Sequence, residues 1–258
     1  MNIDFHDQKN KATYSGRAVD QSWSQAMLKL VDPTGKHVID VGSGGGIYSR
    51  AWLELGAASV IGVDFSQVML SAARENTQDL AAITFLHGDA LNTGLPDCSA
   101  DIVFARALIH HLDDLDAFFA EMFRLLRPGG MCIVQDRTLE DIQFAGTAEH
   151  IRGYFFSCYP HLLDTEKNRR PEREQVMLAQ QRNGLSCLEF HTLWEVRRTY
   201  RVWDELKADL LDRTGRSILH ALSDVELEAL VDYMGQKLSE QQPIVEKDRW
   251  SLWIGTKE

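Results

Sequence analysis

Between Lys36 and Asp136 the sequence alternates short apolar segments with helical patterns, and this alternation constrains the fold more than any other feature. The apolar segments are rich in valine and isoleucine, and they read HVIDV, SVIGVD, ITFLHGD, ADIVFAR and MCIVQD. Strands of this kind are buried on both faces of a parallel sheet, and helices connect consecutive parallel strands. The pattern therefore predicts an α/β domain built on five parallel strands.

A helix that begins near Asp113 is the clearest helical element in this region. Asp113 or Asp114 can cap its start, and the segment Pro128-Gly129-Gly130 follows its end. Apolar side chains recur along it at helical spacing, so they form one stripe that we expect to face the core: Leu115, Phe118, Phe119, Met122, Phe123 and Leu126.

The pattern becomes irregular after Asp136, but two strand-like segments return later, at residues 186–200 and 243–256. The stretch between them is helical and includes a capping box at Ser223 and Glu226. We predict a sheet of about seven strands, the first five parallel, with helices inserted between the last two. The expected segments are an N-terminal helical cap (1–34), the core (35–137), a helical lid insertion (138–184) and the last two strands (185–258) with their helical insertion (202–240).

The composition of the chain argues against several kinds of binding partner: nucleic acid, membrane and metal. The net charge of -11 repels nucleic-acid phosphates and anionic lipid, so nucleic acid is a minor hypothesis. No run approaches the roughly 18 apolar residues of a membrane span, and the first residues lack the apolar segment of a secretion signal. The four cysteines are widely spaced, without a metal-ligand pattern. These features predict a cytoplasmic protein that holds no metal and does not contact a membrane.

Four glycines follow the first strand, at positions 42, 44, 45 and 46 in VIDVGSGGGIYSRAW. Such a turn between a strand and a helix can be purely structural, or it can let a ligand approach bare backbone. A dinucleotide site prefers G-x-G-x-x-G, but Ile47 stands three residues after Gly44, and no Gly-Lys-Ser/Thr of a nucleotide-triphosphate loop follows.

The pattern Asp40-x-Gly42-x-Gly44-x-Gly46 resembles motif I of the class I S-adenosylmethionine-dependent methyltransferases. The resemblance extends over roughly residues 36–136, because Asp64, Asp89-Ala90 and LLRPGGMCIV follow in the order of that family. It implies a Rossmann-like, doubly wound, mostly parallel seven-stranded sheet with helical cap insertions. It also implies S-adenosyl-L-methionine as the methyl donor, which leaves as S-adenosyl-L-homocysteine.

The resemblance also implies roles for individual residues. Asp64 would accept the ribose hydroxyls, although a helix-capping role is the structural alternative. The methionyl part would lie along the glycine turn. The residues assigned to the cofactor, each with its expected contact where there is one, are Asp40 (ammonium), Gly42, Ser43, Gly44, Asp64, Phe65 (adenine face), Asp89 and Ala90 (adenine amino group), and Arg106. Tyr14 and Arg17 are three residues apart in a segment expected to fold over the site, so they can share a helical face, with Arg17 pairing the cofactor carboxylate. The alternative is a solvated N-terminal helix.

The end of the fourth strand, ADIVFARALIHHLDD, separates the branches of the family. It lacks the motifs of nucleic-acid amino-methylases, cytosine C5 enzymes and arginine methylases, and Arg106 stands where catechol-type enzymes place metal carboxylates. By elimination and by the stretches ALIHHLDD and RLLRPGG, the chain is similar to the ubiquinone/menaquinone-type, small-molecule methyltransferases. The alternatives are a catalytically silent cofactor-binding regulatory module and an RNA methyltransferase.

His110 and His111 are the candidate catalytic residues, because imidazole can accept a proton near neutral pH. The alternative is that one of them only packs or binds backbone. Tyr154, Phe155, Phe156 and Tyr159 are expected to cover the acceptor, unless they fill a second core beneath residues 204–238. The simplest interpretation of Arg169, Arg170 and Arg173 is a solvated charge run, and Arg213 and Arg216 receive no role.

Overall fold

The structure is a computed structural model that describes residues 19–240 and 242–258. Its centre is a seven-stranded sheet in the order β3-β2-β1-β4-β5-β7-β6. The first five strands run parallel, and β7 pairs antiparallel with both β5 and β6. The fold prediction is confirmed, including the last two strands. The strands are β1 (His37–Val41), β2 (Ser59–Asp64), β3 (Ile83–His87), β4 (Ala100–Arg106), β5 (Leu126–Asp136), β6 (Ser186–Tyr200) and β7 (Ile244–Thr256).

Helices pack on both faces of the sheet because alternate strand residues point to opposite sides. On one face Val38 and Phe104 meet Trp23 and Trp52. The helices of the described residues are α1 (Gln21–Leu30), α2 (Ile47–Glu54), α3 (Gln67–Asn76), α4 (Leu115–Leu125), α5 (Leu139–Ile142), α6 (Arg152–Cys158), α7 (Leu162–Lys167), α8 (Arg173–Arg182), α9 (Trp203–Leu211) and α10 (Asp224–Leu238). In the part of the chain that the structure describes, no helix has the length and apolarity of a membrane span.

The predicted apolar stripe lies on α4, where Phe118, Phe119 and Met122 are fully buried against the sheet together with α8. Asp114 caps the start of this helix by accepting a hydrogen bond from the amide of Ala117. The capping box at Ser223 and Glu226 likewise starts α10. These local signals were sufficient because each depends on neighbours within one helical turn.

A second hydrophobic core lies outside the sheet, between α6 and the pair α9 and α10. Phe155 and Phe156 are buried in it, and Tyr154 and Tyr159 pack against it. The expectation that these four rings cover the acceptor is therefore wrong. The alternative, a second core beneath residues 204–238, describes them correctly.

Candidate functional site

A cavity of about 970 Å³ opens at the carboxyl ends of the parallel strands, the usual ligand position in such sheets. Its walls bring together every candidate site residue in the described ranges: Asp40, Gly42, Ser43, Gly44, Asp64, Phe65, Asp89, Ala90, Arg106, His110 and His111. Tyr14 and Arg17 fall outside the described residues. Between β5 and β6, the residues that border the cavity are Arg137, Arg152, Arg169 and Arg170.

The glycine turn between β1 and α2 leaves backbone exposed to this cavity. Gly42 and Gly46 have φ angles of 73° and 78°, a region that side chains disfavour. A Cβ atom at Gly46 would also lie 2.8 Å from the Phe85 ring, and one at Gly42 would lie 3.0 Å from the Leu108 side chain. The turn therefore requires glycine at both positions, and its bare peptide groups face the ligand space.

Asp64, at the end of β2, holds two turns in place. One of its carboxylate oxygens accepts a hydrogen bond from the amide of Gly44 at 2.8 Å, and the other accepts one from the amide of Ser66 at 2.9 Å. Ser66 caps α3 through its own hydroxyl. Asp64 also borders the cavity, and an ionised carboxylate is an acceptor for the hydroxyl groups of a ligand. Phe65 beside it is 48% exposed, which suits contact with a flat ring.

Asp40, near the carboxyl end of β1, is a buried carboxylate with few compensating contacts. Its partner is the Ser49 hydroxyl, which donates a hydrogen bond at 2.6 Å. Burial, together with the nearby charge of Asp64, raises the pKa of Asp40 to about 7, and the Ser49 hydrogen bond opposes this rise only in part. A ligand cation would favour the ionised form.

Asp89 follows β3, and its side chain stabilises the turn that it begins. One carboxylate oxygen accepts a hydrogen bond from the amide of Leu91 at 2.7 Å. Because Asp89 and Ala90 both border the cavity, the turn presents them next to Phe65 at the same end.

His110 lies in a short 3₁₀ helix, Ile109–His111, that follows β4. Its Nδ1 atom is 2.9 Å from both carboxylate oxygens of Asp136, the last residue of β5. Burial lowers the pKa of His110, although Asp136 opposes this. In the neutral ring Nδ1–H donates to Asp136, which leaves Nε2 as the acceptor nitrogen. The sequence did not identify Asp136 as a partner; its place at the end of a buried strand was the available signal.

His111 differs from its neighbour in its environment. The two rings lie 4.0 Å apart between their centroids. Burial, the charge of His110 and the charge of Arg169 lower the pKa of His111 to about 3. Its ring is therefore neutral at physiological pH.

The other half of the cavity is lined by seven arginines, which we call the arginine wall: Arg106, Arg137, Arg152, Arg169, Arg170, Arg197 and Arg198. They come from β4, β6 and the insertion between β5 and β6. The interpretation of Arg169 and Arg170 as a solvated run is wrong, because Arg170 is buried against Glu166 and Asp136. Only Arg173 of that run is exposed.

Arg106, grouped with the cofactor residues from the sequence, is held in the wall by contacts with β6 and β7. Its guanidinium donates to Glu195 at 2.9 Å and lies 4.0 Å from the ring centroid of Trp250. Glu195 also accepts a hydrogen bond from Gln135, whose side-chain oxygen accepts one from the Trp23 indole. The wall is thus connected through the sheet to α1.

Arg216, for which no role was predicted, is fully buried behind the wall. It donates to Asp209 and Glu246 at 2.7 Å each, and to the Tyr200 hydroxyl at 3.0 Å. Glu246, Asp248 and Trp250 are buried at alternate positions of β7, so they share one face of the strand. That alternation of acidic and aromatic residues was the sequence signal for a polar network.

Metal-binding geometry is not found in the described ranges, where no three His, Cys, Asp or Glu side chains are grouped to hold an ion.

Comparison with known proteins identifies the core. Residues 39–134 match the family model described as "Methyltransferase domain". A malonyl-[acyl-carrier protein] O-methyltransferase of Serratia marcescens is 28% identical over 172 residues, which cover 61% of this chain and 66% of that protein. A demethylmenaquinone methyltransferase of Tropheryma whipplei is 33% identical over 118 residues, 45% of this chain and 48% of that protein. The chain thus matches about half to two thirds of the length of these relatives.

Similarity of fold extends over nearly the whole chain. The structure of a phosphoethanolamine N-methyltransferase 2 of Haemonchus contortus, in complex with phosphomonomethylethanolamine and S-adenosylhomocysteine, superposes with a TM-score of 0.62 at 21% identity. The match covers 99% of this chain and 60% of that one. The resemblance inferred from the glycine turn is confirmed: residues 39–134 match a methyltransferase domain, and the fold is shared with a solved methyltransferase.

Proposed function

We propose that the protein transfers the methyl group of S-adenosylmethionine to a small-molecule acceptor, and that it does so in the cytoplasm, where its free cysteines would stay reduced. The observation that carries the proposal is one continuous cavity with two unlike ends. Asp40, the glycine turn and Asp64 line one end, and His110 with the arginine wall lines the other. A volume of about 970 Å³ is at the upper end of the usual range for ligand sites, which suits two ligands side by side.

The residues of the first end fit the cofactor chemically. Asp64 has lone pairs for the ribose hydroxyls, Phe65 can cover the adenine, and Asp40 is a buried carboxylate for the ammonium group. Ser43 is a further fit, because its hydroxyl is buried without a hydrogen-bond partner among the described residues. When bound, the cofactor supplies a methyl group on a positively charged sulfur. The chain's task is to hold the acceptor in line with it.

His110 is the residue placed to accept a proton from the acceptor. Its Nε2 is the basic nitrogen, and Asp136 fixes the tautomer and stabilises the imidazolium that forms. An acceptor whose nucleophile carries no proton would not need this step. The relatives are named for malonyl-[acyl-carrier protein], demethylmenaquinone and phosphoethanolamine, so similarity alone leaves the acceptor open.

The first test is cofactor binding by an Asp64→Ala variant. We expect the free energy of its binding to S-adenosylhomocysteine to weaken by about 1–3 kcal/mol, because a charged hydrogen-bond acceptor is lost. Isothermal titration calorimetry measures this. Asp79→Ala is the matched control, since Asp79 is exposed and pairs with Arg50 on the surface. Equal affinity of wild type and Asp64→Ala would remove Asp64 from the site.

Cofactor binding should also depend on pH through Asp40. Its pKa of about 7 in the free protein falls when an ammonium group binds, so binding releases a proton. Affinity for S-adenosylhomocysteine should therefore rise between pH 5 and pH 7, by up to about tenfold per unit at the acidic end. Calorimetry across this range measures the slope. Asp40→Asn should abolish it, and a flat profile in wild type would exclude the contact.

A product assay distinguishes catalysis from cofactor binding alone, because only methyl transfer forms S-adenosylhomocysteine. Incubation with S-adenosylmethionine and pools of phenols, amines and carboxylates should yield S-adenosylhomocysteine with one pool. A protein that binds the cofactor but methylates none of them, and no RNA, would be a regulatory module.

A further inference from the structure

The arginine wall contains more positive charge than its carboxylate partners neutralise. The seven arginines that line the cavity, and Arg216 behind them, pair with only six carboxylates: Asp136, Glu166, Glu195, Asp209, Glu246 and Asp248. The wall thus has a surplus of two positive charges in a protein whose net charge is -11. Arg198 is half exposed, so water screens its charge, but the other arginines are largely buried, and unmatched charge among them is costly unless an anion occupies the cavity.

The surplus is concentrated where carboxylates are shared. Asp248 accepts from Arg137 at 2.6 Å and from Arg152 at 3.1 Å, and these two arginines have no other carboxylate partner among the described residues. Glu166 pairs with both Arg169 and Arg170, and Arg170 also pairs with Asp136, so these two arginines are matched by two carboxylates. The unmatched positive charge next to the proposed base is therefore at Arg137 and Arg152, which share Asp248.

These arginines also have hydrogen-bond donors to spare. The Nε atoms of Arg137 and Arg169 are buried without a partner among the described residues. Arg152 uses its Nε for Asp248, and within the described ranges neither of its terminal nitrogens is hydrogen-bonded. A guanidinium with free donors suits the two oxygens of a carboxylate or phosphate.

The spare donors lie near the proposed base. The charge of Arg169 lowers the pKa of both His110 and His111, and Arg170 pairs with the same Asp136 as His110 does. Burial and the repulsion of Arg152, Arg170 and Arg106 also lower the pKa of Arg137 to about 9. The positively charged arginines therefore border the same cavity as the proposed base.

We propose that the acceptor carries an oxyanion, a carboxylate or a phosphate group, which binds between Arg137, Arg152 and Arg169 while a second group of the acceptor takes the methyl. This inference rests on the proposed methyltransferase function and specifies its substrate class. A wholly structural network would account for the paired nitrogens. It does not account for the terminal nitrogens of Arg152, which borders the cavity and bonds only through its Nε among the described residues.

The test is anion binding to the protein saturated with S-adenosylhomocysteine. Sodium phosphate and sodium acetate are titrated in a calorimeter at constant ionic strength, with sodium chloride as the reference anion. We expect saturable millimolar binding of phosphate or acetate and none of chloride. The tighter of the two shows whether the acceptor group is a phosphate or a carboxylate.

Variants then locate the anion. Arg152→Gln leaves Asp248 paired with Arg137, and Arg169→Gln leaves Glu166 paired with Arg170, so neither strands a buried carboxylate. Each should weaken anion binding by about tenfold or more, the scale of one charged hydrogen bond. Arg182→Gln is the matched control, because Arg182 is exposed and pairs with Asp116 on the surface. Circular dichroism checks the fold, and Arg169→Lys should recover part of the loss.

The outcomes separate this inference from the proposed function. Binding of S-adenosylhomocysteine without any binding of phosphate or acetate overturns the inference alone. So does anion binding that is unchanged in both folded arginine variants. Failure of wild type to bind S-adenosylhomocysteine overturns the proposed function itself.

Discussion

An Arg216→Met variant is expected to lose about 3–5 kcal/mol of the free energy of unfolding, the cost of removing one partner from a buried ion network. Arg216 is fully buried and binds Asp209, Glu246 and Tyr200. Its loss leaves two buried carboxylates with Arg197 as their shared buried counter-ion, since Arg198 is half exposed. The second hydrophobic core, which contains Tyr200, loses its polar boundary at the same time.

Urea denaturation followed by circular dichroism measures this change. Arg201→Met is the matched control, because Arg201 is 88% exposed and its pair with Glu205 is on the surface, where such pairs contribute about 1 kcal/mol or less. If Arg216→Met cost no more than Arg201→Met, the network would not stabilise the fold.

A His110→Ala variant is expected to lower kcat by about 10²–10⁴-fold, the usual contribution of a general base, with an acceptor whose nucleophile carries a proton. The contact between His110 Nδ1 and the Asp136 carboxylate stabilises the imidazolium that forms when His110 accepts a proton. Its pKa lies below the usual value, because burial disfavours the imidazolium. The wild-type rate should therefore be level near neutral pH and fall only when the pH drops through that lowered pKa.

Formation of S-adenosylhomocysteine with the acceptor from the screen measures kcat. His111→Ala is the matched control, since His111 is adjacent and its pKa is lowered to about 3, which makes it a much weaker base; we expect a much smaller effect. Binding of S-adenosylhomocysteine should be unchanged in both variants. Equal kcat values for His110→Ala and wild type would show that the acceptor loses its proton elsewhere.

Much of the fold was predictable because its signals are local. The strand patterns, the stripe on α4 and the capping box at Ser223 each follow from residues within a turn or a strand of one another. The end of the cavity that we propose for the cofactor was predictable for a related reason: Asp40, the glycine turn and Asp64 fall at the carboxyl ends of adjacent strands, which the α/β topology brings together.

The arginine wall at the other end of the cavity was not predictable, since it depends on contacts between residues that are distant in the sequence. Arg170 reaches Asp136 across 34 positions of sequence, and Arg137 reaches Asp248 across 111. A run of arginines in an irregular segment has the same local pattern whether it is solvated or buried. The aromatics of α6 posed the same problem, because α10, against which they pack, lies far along the chain.

The sharing of carboxylates in the wall has a consequence for how this protein can change its substrate in evolution. Asp248, Asp209 and Glu246 each serve at least two arginines that come from separate segments. Exchange of Asp248 leaves Arg137 and Arg152 without a carboxylate partner among the described residues and lowers stability, whereas exchange of one arginine that lines the cavity leaves each of these three carboxylates another partner. Substitutions that change the acceptor preference should therefore occur first at the arginines that line the cavity. The acidic residues of β7, Glu246 and Asp248, should be retained.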